Sequence, residues 1–537
     1  MARVAMRDDF LEKIRGAYSK SPNAAVLGAP VLDGECAAEP CVRLPLATLN
    51  RHGLVAGATG TGKTKTLQTL AEQFSRAGIP VFVSDVKGDL SGLAAPGAAS
   101  ERVTTRVREL GISWAPMPCL VEFLSLTGRT GAHLRATVSS FGPVALAKVL
   151  ELNATQASVL AMVFKYCDDQ ALPLLDLSDL KAVLTHLGDD KSVDRAAYGT
   201  LSKASVGVIL REVLELESQG AEAFFGEPEF DVDELLYVDA EGRGLVSILE
   251  LADVQTKPAL FSTFMMWMLA RLYEELPEVG DLEKPKLVFF FDEAHLLFRD
   301  ATEEFLNAIE RVVRLVRSKG VGIFFVTQSP KDIPAPILGQ LGNRVQHALR
   351  AFTPDDEKAM KAAARTFPKS EHYDIQAVLT SLGTGEALVT VLADSGVPTP
   401  PVVCRVAPPT SRMGPLTESE FAQVLGTDQV RHYAAAVDRR SAREILEERL
   451  RATQRPASDS PKGVPTTENT PAPSDGGGVY AYPPSASPAG VTPEGAGFDL
   501  GAMLNSPVAR TVAGAVTRGL MGALLGPTPR RRSRRRS

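Results

Sequence analysis

The sequence predicts an α/β fold with a mainly parallel sheet, a large helical insertion, and a disordered C-terminal linker followed by a basic tail. The run HGLVAGATGTGKTKTLQTLAEQF predicts a strand, a Gly/Thr loop and a helix, and IPVFVSDVKGD adds a second strand, which gives a βαβ opening. Apolar runs typical of buried parallel strands, such as PKLVFFFDEAH and GVGIFFVTQ, return later in the chain with helical segments between them. Strands that alternate with helices need crossover connections, which build a parallel sheet.

Changes in composition along the chain predict its organisation. Leu, Ala and Val recur at helical spacing through the middle of the chain, whereas Pro, Ser, Thr, Ala and Gly dominate a later stretch that cannot bury enough apolar surface to fold. The predicted segments are an N-terminal lead-in with short strands at 1–50, the first part of the core at 51–100, a mostly helical insertion at 101–240, the second part of the core at 241–415, a charged helical segment at 416–452, a disordered linker at 453–497, and an amphipathic helix with an Arg-rich tail at 498–537.

The composition restricts the function classes. Apolar residues make up 44% and charged residues 23% of the 537 residues, which excludes global disorder. The formal charge is −6, so a nucleic-acid contact on the folded part must use a local patch. The five scattered cysteines form no CxxC pair, and no apolar run is long enough for a signal peptide or a membrane span. We therefore expect a cytoplasmic protein with no integral membrane anchor.

The strongest motif is GATGTGKT, which matches the phosphate-binding pattern G-x-x-x-x-G-K-[ST] between a strand and a helix. Its glycines let several backbone N–H groups point at one phosphate, and the helix N-terminus adds its positive end. We expect ATP here, with Lys63 on the β- and γ-phosphates and the Thr64 hydroxyl on Mg²⁺. The predicted nucleotide-binding residues are Gly57, Ala58, Thr59, Gly60, Thr61, Gly62, Lys63, Thr64 and Lys65.

Two later strands end in polar residues that suit ATP hydrolysis. LVFFFDE is an apolar strand that ends in two carboxylates, of which Asp292 can hold the magnesium shell and Glu293 can orient and polarise the attacking water. GIFFVTQ ends in Gln328, whose amide can donate and accept at once and is suited to sensing the γ-phosphate. Each segment, taken alone, can also be a buried strand that ends in polar residues without a catalytic role.

Three further positions have alternative interpretations. In TEEFLNAIERVVRLVRSKG, Arg317, or else Arg314, can face a neighbouring subunit's nucleotide as an arginine finger, or Arg314 can simply pair with Glu310 four residues earlier. Asp85, after the second strand, either orients the water or caps its turn. His295 completes a D-E-A-H string, but no second core domain follows, so we expect it to pack or cap.

Together, the segments NRHGLVAGATGTGKTKT, VFVSDVKGD, VFFFDEAHLLF and VRLVRSKGVGIFFVTQSPKDIP resemble the HerA/FtsK branch of P-loop ATPases, most closely the HerA-like, YjgR-type bacterial proteins, over roughly residues 25–450. The resemblance implies a RecA-like core, and hexameric rings that hold nucleotide between subunits and move double-stranded DNA through a pore. It also implies the roles of phosphate contact for Lys63, magnesium contact for Thr64 and Asp292, water activation for Glu293, sensing for Gln328, and trans finger for Arg317.

The resemblance has two departures. About 50 residues precede the P-loop strand, which leaves little room for the N-terminal β-barrel of HerA proper and argues against a nuclease partner. The absence of a membrane anchor argues against a membrane-tethered pump. The sequence thus predicts an Mg²⁺-dependent ATPase that assembles as a homo-oligomeric ring, expected to be a hexamer, and acts on double-stranded DNA. An ATP-dependent protein-remodelling motor and a nucleotide-dependent switch or scaffold are the alternatives.

Overall fold

The computed structural model describes residues 2–189, 202–255, 257–280, 282–299 and 303–454. The predicted linker beyond residue 454 and the predicted helix and Arg-rich tail at 498–537 lie outside the described residues. The strands are β1 (Ala24–Leu32), β2 (Glu35–Cys36), β3 (Val42–Pro45), β4 (Gly53–Ala56), β5 (Val81–Asp85), β6 (Val121–Ser125), β7 (Ala132–His133), β8 (Val246–Glu250), β9 (Leu287–Phe291), β10 (Val321–Thr327), β11 (Asn343–Gln346), β12 (Glu386–Thr390) and β13 (Val402–Val406). The α-helices are α1 (Ala2–Tyr18), α2 (Lys63–Arg76), α3 (Glu101–Leu110), α4 (Val138–Val149), α5 (Ala154–Gln170), α6 (Leu177–Asp189), α7 (Lys203–Ser218), α8 (Pro258–Glu275), α9 (His295–Phe298), α10 (Glu303–Val316), α11 (Ala335–Leu338), α12 (Pro354–Ala364), α13 (Ile375–Ser381), α14 (Glu418–Val424), α15 (Asp428–Ala434) and α16 (Ala442–Gln454).

The strands of the described residues join one sheet in the order β2-β1-β13-β12-β11-β4-β10-β9-β5-β8-β6-β7, with β3 on β1. Every neighbouring pair from β11 to β7 is parallel, and the pairs from β11 to β2 are antiparallel. The predicted α/β class with a mainly parallel sheet is therefore confirmed. The strand β10 lies between β4 and β9, so the three predicted motif strands are direct neighbours.

The central strands are buried on both faces of the sheet. Phe289 and Phe291 enter one hydrophobic core, whereas Val288 and Phe290 enter the core on the opposite face, where Phe290 stacks on Phe74 of α2. Successive side chains of a strand point to opposite faces, so a strand covered on both sides needs an unbroken apolar run. This requirement accounts for the sequence LVFFF of β9.

The helices α4 to α7 pack on one face of the same sheet. Their buried side chains, such as Leu160 and Ile209, share a single core with Trp267 of α8, Val312 of α10 and Phe289 of β9. The segment predicted as a helical insertion at 101–240 also contains β6 and β7, which extend the parallel part of the sheet beyond β8. The lead-in predicted at 1–50 contains β1, which joins the sheet through β13.

The segment predicted as charged and helical at 416–452 contains α14, α15 and the beginning of α16. This segment packs against the helical insertion: α16 contacts α6, and the backbone N–H of Arg443 donates to Asp179. Across the part of the chain that the structure describes, no helix combines the length and the apolar character needed to span a bilayer.

Candidate functional site

The predicted site residues other than Arg317 meet at one edge of the sheet. Four adjacent parallel strands, in the order β4, β10, β9 and β5, end there, and each is followed by polar residues. The P-loop follows β4, Gln328 follows β10, Asp292 and Glu293 follow β9, and Asp85 ends β5. Ligands of open α/β sheets bind at this carboxyl edge.

The loop between β4 and α2 is shaped by its glycines. Gly57 has a φ of +154°, and a Cβ there would lie 2.5 Å from the Cβ of His347. Gly62 has a φ of +115° and precedes the first residue of α2, Lys63. The N–H groups of that first helical turn have no acceptor within the helix and can bind an anion. The Lys63 ammonium donates to the carbonyl oxygen of Ala58 at 3.2 Å, inside the loop it is predicted to serve.

A buried histidine supports the loop from the side of β11. The Nδ1 of His347 is 2.8 Å from the carbonyl oxygen of Glu386, and its Nε2 is 2.9 Å from the hydroxyl of Thr66 in α2. Because the carbonyl can only accept, Nδ1 carries the proton and Nε2 accepts from Thr66. Burial lowers the pKa of His347 to about 4, so the ring stays neutral. The wall behind the loop is therefore neutral and fixed.

Asp292 has the environment of a metal-associated carboxylate. Its side chain is buried, and Oδ1 accepts the N–H of Glu293 at 2.9 Å. Its other oxygen, Oδ2, is buried and accepts no hydrogen bond from any described residue. Burial first, and the neighbouring Glu293 second, raise the pKa of Asp292 to about 7.

The donor set fits a magnesium ion that is shared with a nucleotide. The unsatisfied oxygen of Asp292 and the half-buried Thr64 at the start of α2 are oxygen ligands, which Mg²⁺ prefers. Among the residues that the structure describes, no group of three or more His, Cys, Asp or Glu side chains is arranged to hold a metal alone. Mg²⁺ typically uses one or two protein ligands together with phosphates and water, so this set is sufficient.

Glu293 lies at the centre of a polar cluster. The Lys87 ammonium binds its Oε1, the Gln328 amide donates to Oε2 at 3.5 Å, and Nδ1 of His295 lies 3.2 Å from Oε2. Burial on its own raises the pKa of Glu293, but Lys87, His295 and Gln328 together outweigh burial and hold that pKa below its ordinary value. The backbone of Glu293 has a φ of +47°, a strained conformation for a residue with a Cβ.

The structure separates the two arginines from this cluster. Arg314 and Arg317 are exposed, and Arg314 pairs with Glu310 at 2.8 Å, as one interpretation predicts. Arg317 precedes β10, whereas Gln328 follows it, and a seven-residue strand spans roughly 20 Å. Neither arginine therefore reaches the P-loop of its own chain.

Asp85 caps its turn. Its carboxylate accepts the backbone N–H groups of Lys87, Gly88 and Leu90 at 3.1, 2.8 and 2.7 Å. Three such bonds occupy the carboxylate and favour the capping role over contact with water. Lys65, predicted to bind nucleotide, directs its ammonium to Gln68 at 2.8 Å, so its backbone N–H is the group left at the loop.

The sequence prediction omits two residues of the site, Lys87 and His347. Lys87 stands two residues after the end of β5, at the same sheet edge as the other motifs, and this position was the available signal. It does not identify Glu293 as the partner, because the contact joins residues 206 positions apart. His347 has the corresponding signal, since it directly follows β11, which pairs with β4.

A cavity of about 710 Å³ opens beside the P-loop. Its wall includes Ala58 and Thr59 of the P-loop, as well as Gln328. Phe352, which is 84% exposed, also lines it. The charged lining residues are Arg299, Lys331 and Arg350, together with Asp332 and Asp356.

Glu250, next to the site, is expected to make the stability of the folded chain depend on pH. Burial, and then the carboxylates of Asp85, Asp253 and Asp89, raise the pKa of Glu250 to about 8. The folded chain thus keeps a proton that the unfolded chain releases, and stability falls as the pH rises through this window. We expect Glu250→Gln to raise Tm, with a gain that grows to a few degrees between about pH 5 and about pH 8.5. Thermal unfolding across this range checks it, and a gain independent of pH would contradict the assignment.

The sequence of this chain is similar to those of known proteins. The family model described as helicase HerA-like C-terminal matches residues 32–534. The DNA double-strand break repair helicase HerA of Sulfurisphaera tokodaii is 24% identical over 361 residues, and that of Sulfolobus acidocaldarius is 21% identical over 355 residues. Each alignment covers 65% of this chain and 64% of the relative, so the chain spans about two thirds of these relatives' length.

Among solved structures, the bacterial conjugative coupling protein TrwBdeltaN70 has a TM-score of 0.47 at 14% identity, covering 74% of this chain and 90% of that chain. The resemblance inferred from the motifs agrees with the family match, which extends over most of the sequence and includes the P-loop, both motif strands and Arg317. The chain belongs to the helicase HerA-like C-terminal family.

Proposed function

We propose that the chain is an ATP-binding and ATP-hydrolysing motor that works as a homo-oligomeric ring on double-stranded DNA. One observation carries the ATPase part: the P-loop, Asp292, Glu293 and Gln328 converge at the carboxyl edge of four adjacent strands. The predicted cytoplasmic location and the hexameric state belong to the same proposal.

In this mechanism, the first turn of α2 and the Lys63 ammonium bind the phosphates and stabilise the charge that develops during transfer. Thr64 and Asp292 hold Mg²⁺, which supplies positive charge at the phosphates when it is bound. Glu293 orients and polarises the water that attacks the γ-phosphate in line. Gln328, beside Glu293, reports whether the γ-phosphate is present.

The position of Arg317 supports the ring. Arg317 is exposed and lies beyond the other end of β10, roughly 20 Å from the P-loop edge of the sheet. A neighbouring copy related by rotation can bring its Arg317 to this site, as head-to-tail contacts do in closed rings. We assign the trans finger to Arg317, because Arg314 already has Glu310 as a partner.

The DNA substrate is supported by the relatives' names and by the cavity beside the P-loop. The relatives named above are described as DNA double-strand break repair helicases. In this chain, Arg299, Lys331 and Arg350 line the cavity together with the exposed ring of Phe352. Asp332 and Asp356 line the same cavity and Lys331 pairs with Asp356, so Arg299 and Arg350 are the positive side chains that we propose contact the phosphate backbone.

Steady-state ATP hydrolysis tests this proposal, measured alone and with double-stranded DNA, single-stranded DNA or an unfolded protein. We expect double-stranded DNA to stimulate the rate several-fold in the parent. Arg350→Ala should lower this stimulation and weaken its dependence on salt, since one phosphate contact is lost. Arg365→Ala, also exposed but at the end of α12, is the matched control.

Lys63→Ala should abolish hydrolysis under every condition, which excludes a contaminating ATPase. Stimulation by unfolded protein with indifference to DNA would replace the DNA substrate by a protein one and leave the ATPase assignment intact. A parent that binds ATP but does not hydrolyse it under any condition would favour the switch or scaffold instead.

A further inference from the structure

Both oxygens of the Glu293 carboxylate have polar side chains beside them. Lys87 binds Oε1, while Gln328 and His295 lie at 3.5 and 3.2 Å from Oε2. A carboxylate that orients a water molecule must accept a hydrogen bond from that water. The arrangement therefore holds Glu293 in contacts that compete with the role proposed for it.

The two partners of the ion pair differ in freedom. The Glu293 side chain is only 5% exposed and stands on a strained backbone, whereas the Lys87 side chain is 47% exposed. Lys87 also lies in the turn that Asp85 holds through three N–H contacts, one of them from Lys87 itself, so its backbone is fixed while its long side chain is not. The pair can therefore break by movement of the lysine alone, without opening the core.

The surroundings supply a reason for the lysine to move. The charges that act on Lys87 are Glu293, Asp292 and Asp89, all at this edge of the sheet. The γ-phosphate of ATP adds a concentrated negative charge at the adjacent loop, and it competes with Glu293 for a mobile ammonium. Gln328, which contacts Glu293 as well, lies on the same side.

We propose that Lys87 is a positioning residue that clamps Glu293 in an ion pair, which the γ-phosphate of ATP weakens and DNA binding breaks. This inference rests on the proposed ATPase function. In the clamped state, Glu293 is withheld from water, so hydrolysis with ATP alone stays low and rises when DNA completes the release. Lys87 thereby sets the ratio of stimulated to basal turnover.

Turnover of Lys87→Ala tests the clamp. We expect basal kcat to rise between about twofold and about tenfold, the range that a partly exposed ion pair can supply. KM for ATP should change less than about twofold, and the stimulation ratio should fall accordingly. Lys87→Arg, which keeps a cation able to pair with Glu293, should retain the low basal rate.

Lys165→Ala is the matched control, because Lys165 has a similar exposure of 48% and also pairs with a carboxylate, that of Asp169 on α5. A basal kcat of Lys87→Ala that is unchanged or lower would overturn the clamp, because the lysine would then be structural or would contact the transferred phosphate directly. A parent without hydrolysis would instead refute the proposed function, so the two failures are distinguishable.

A second readout does not depend on turnover. Thermal unfolding of Lys87→Ala, Glu293→Ala and the double variant measures the coupling between the two side chains. We expect coupling without nucleotide and a smaller coupling when Mg²⁺ and a non-hydrolysable ATP analogue are present, because the γ-phosphate then competes for the lysine. Coupling that persists undiminished with the analogue would show that Lys87 never releases Glu293.

Discussion

Glu293→Gln is expected to lower kcat for ATP hydrolysis at least about a hundredfold, with little change in the affinity for ATP. Glutamine has nearly the same size, so it preserves the packing around this buried side chain, but it lacks the charge that polarises the attacking water. Nucleotide binding relies on the P-loop and α2, which the substitution does not touch. Single-turnover hydrolysis and equilibrium binding of a fluorescent ATP analogue, measured on the same preparation, separate the two effects.

Glu310→Gln serves as the control, since it removes a carboxylate from the surface of α10 that pairs only with the exposed Arg314. It should hydrolyse ATP at the parent rate. Glu293→Gln that retains the parent rate would refute the catalytic assignment. A variant that loses ATP binding as well would point to a collapsed site.

Arg317→Ala is expected to reduce hydrolysis by about three orders of magnitude, the scale reported for arginine fingers. The side chain lies outside its own site, so the loss arises in the neighbouring subunit. Mixing the two inactive variants tests whether Arg317 acts across an interface. In rings assembled from Arg317→Ala and Glu293→Gln subunits, some interfaces combine an intact Glu293 with an intact Arg317. Random mixing of equal amounts gives about a quarter of such interfaces, and activity should return in proportion.

Arg314→Ala, three residues earlier on the same exposed surface, should retain most of the activity. If the mixed rings stay as inactive as either parent variant, Arg317 does not act across an interface. The same outcome would follow from a chain that does not assemble, so the oligomeric state of each variant is measured by light scattering beforehand.

The sequence predicts correctly those parts of the fold that local residue patterns determine. The buried run LVFFF and the glycines at Gly57 and Gly62 have one structural solution each, because a strand covered on both faces needs apolar residues throughout and the loop needs positive φ. The strands β6 and β7 gave no such pattern. They are short and join the sheet between helical segments, so the sequence around them predicts a helical insertion.

The contacts within the site depend on the order of strands in space, which is not a local property. Lys87 reaches Glu293 because β5 pairs with β9, and His347 reaches the P-loop because β11 pairs with β4. Motif spacing predicts which residue types meet at an edge of the sheet. It does not predict which lysine or histidine side chain contacts which partner.

The strand β10 begins just after Arg317 and ends just before Gln328. Its seven residues are buried and hydrogen-bonded to β4 on one side and β9 on the other. In the proposed ring, the two ends of this strand therefore carry residues that face two different nucleotides, Gln328 its own and Arg317 the neighbour's. Because both neighbouring strands hold β10 in place, a change at one end is shared with the sheet, and we expect ATP binding around the ring to be cooperative, with a Hill coefficient above one.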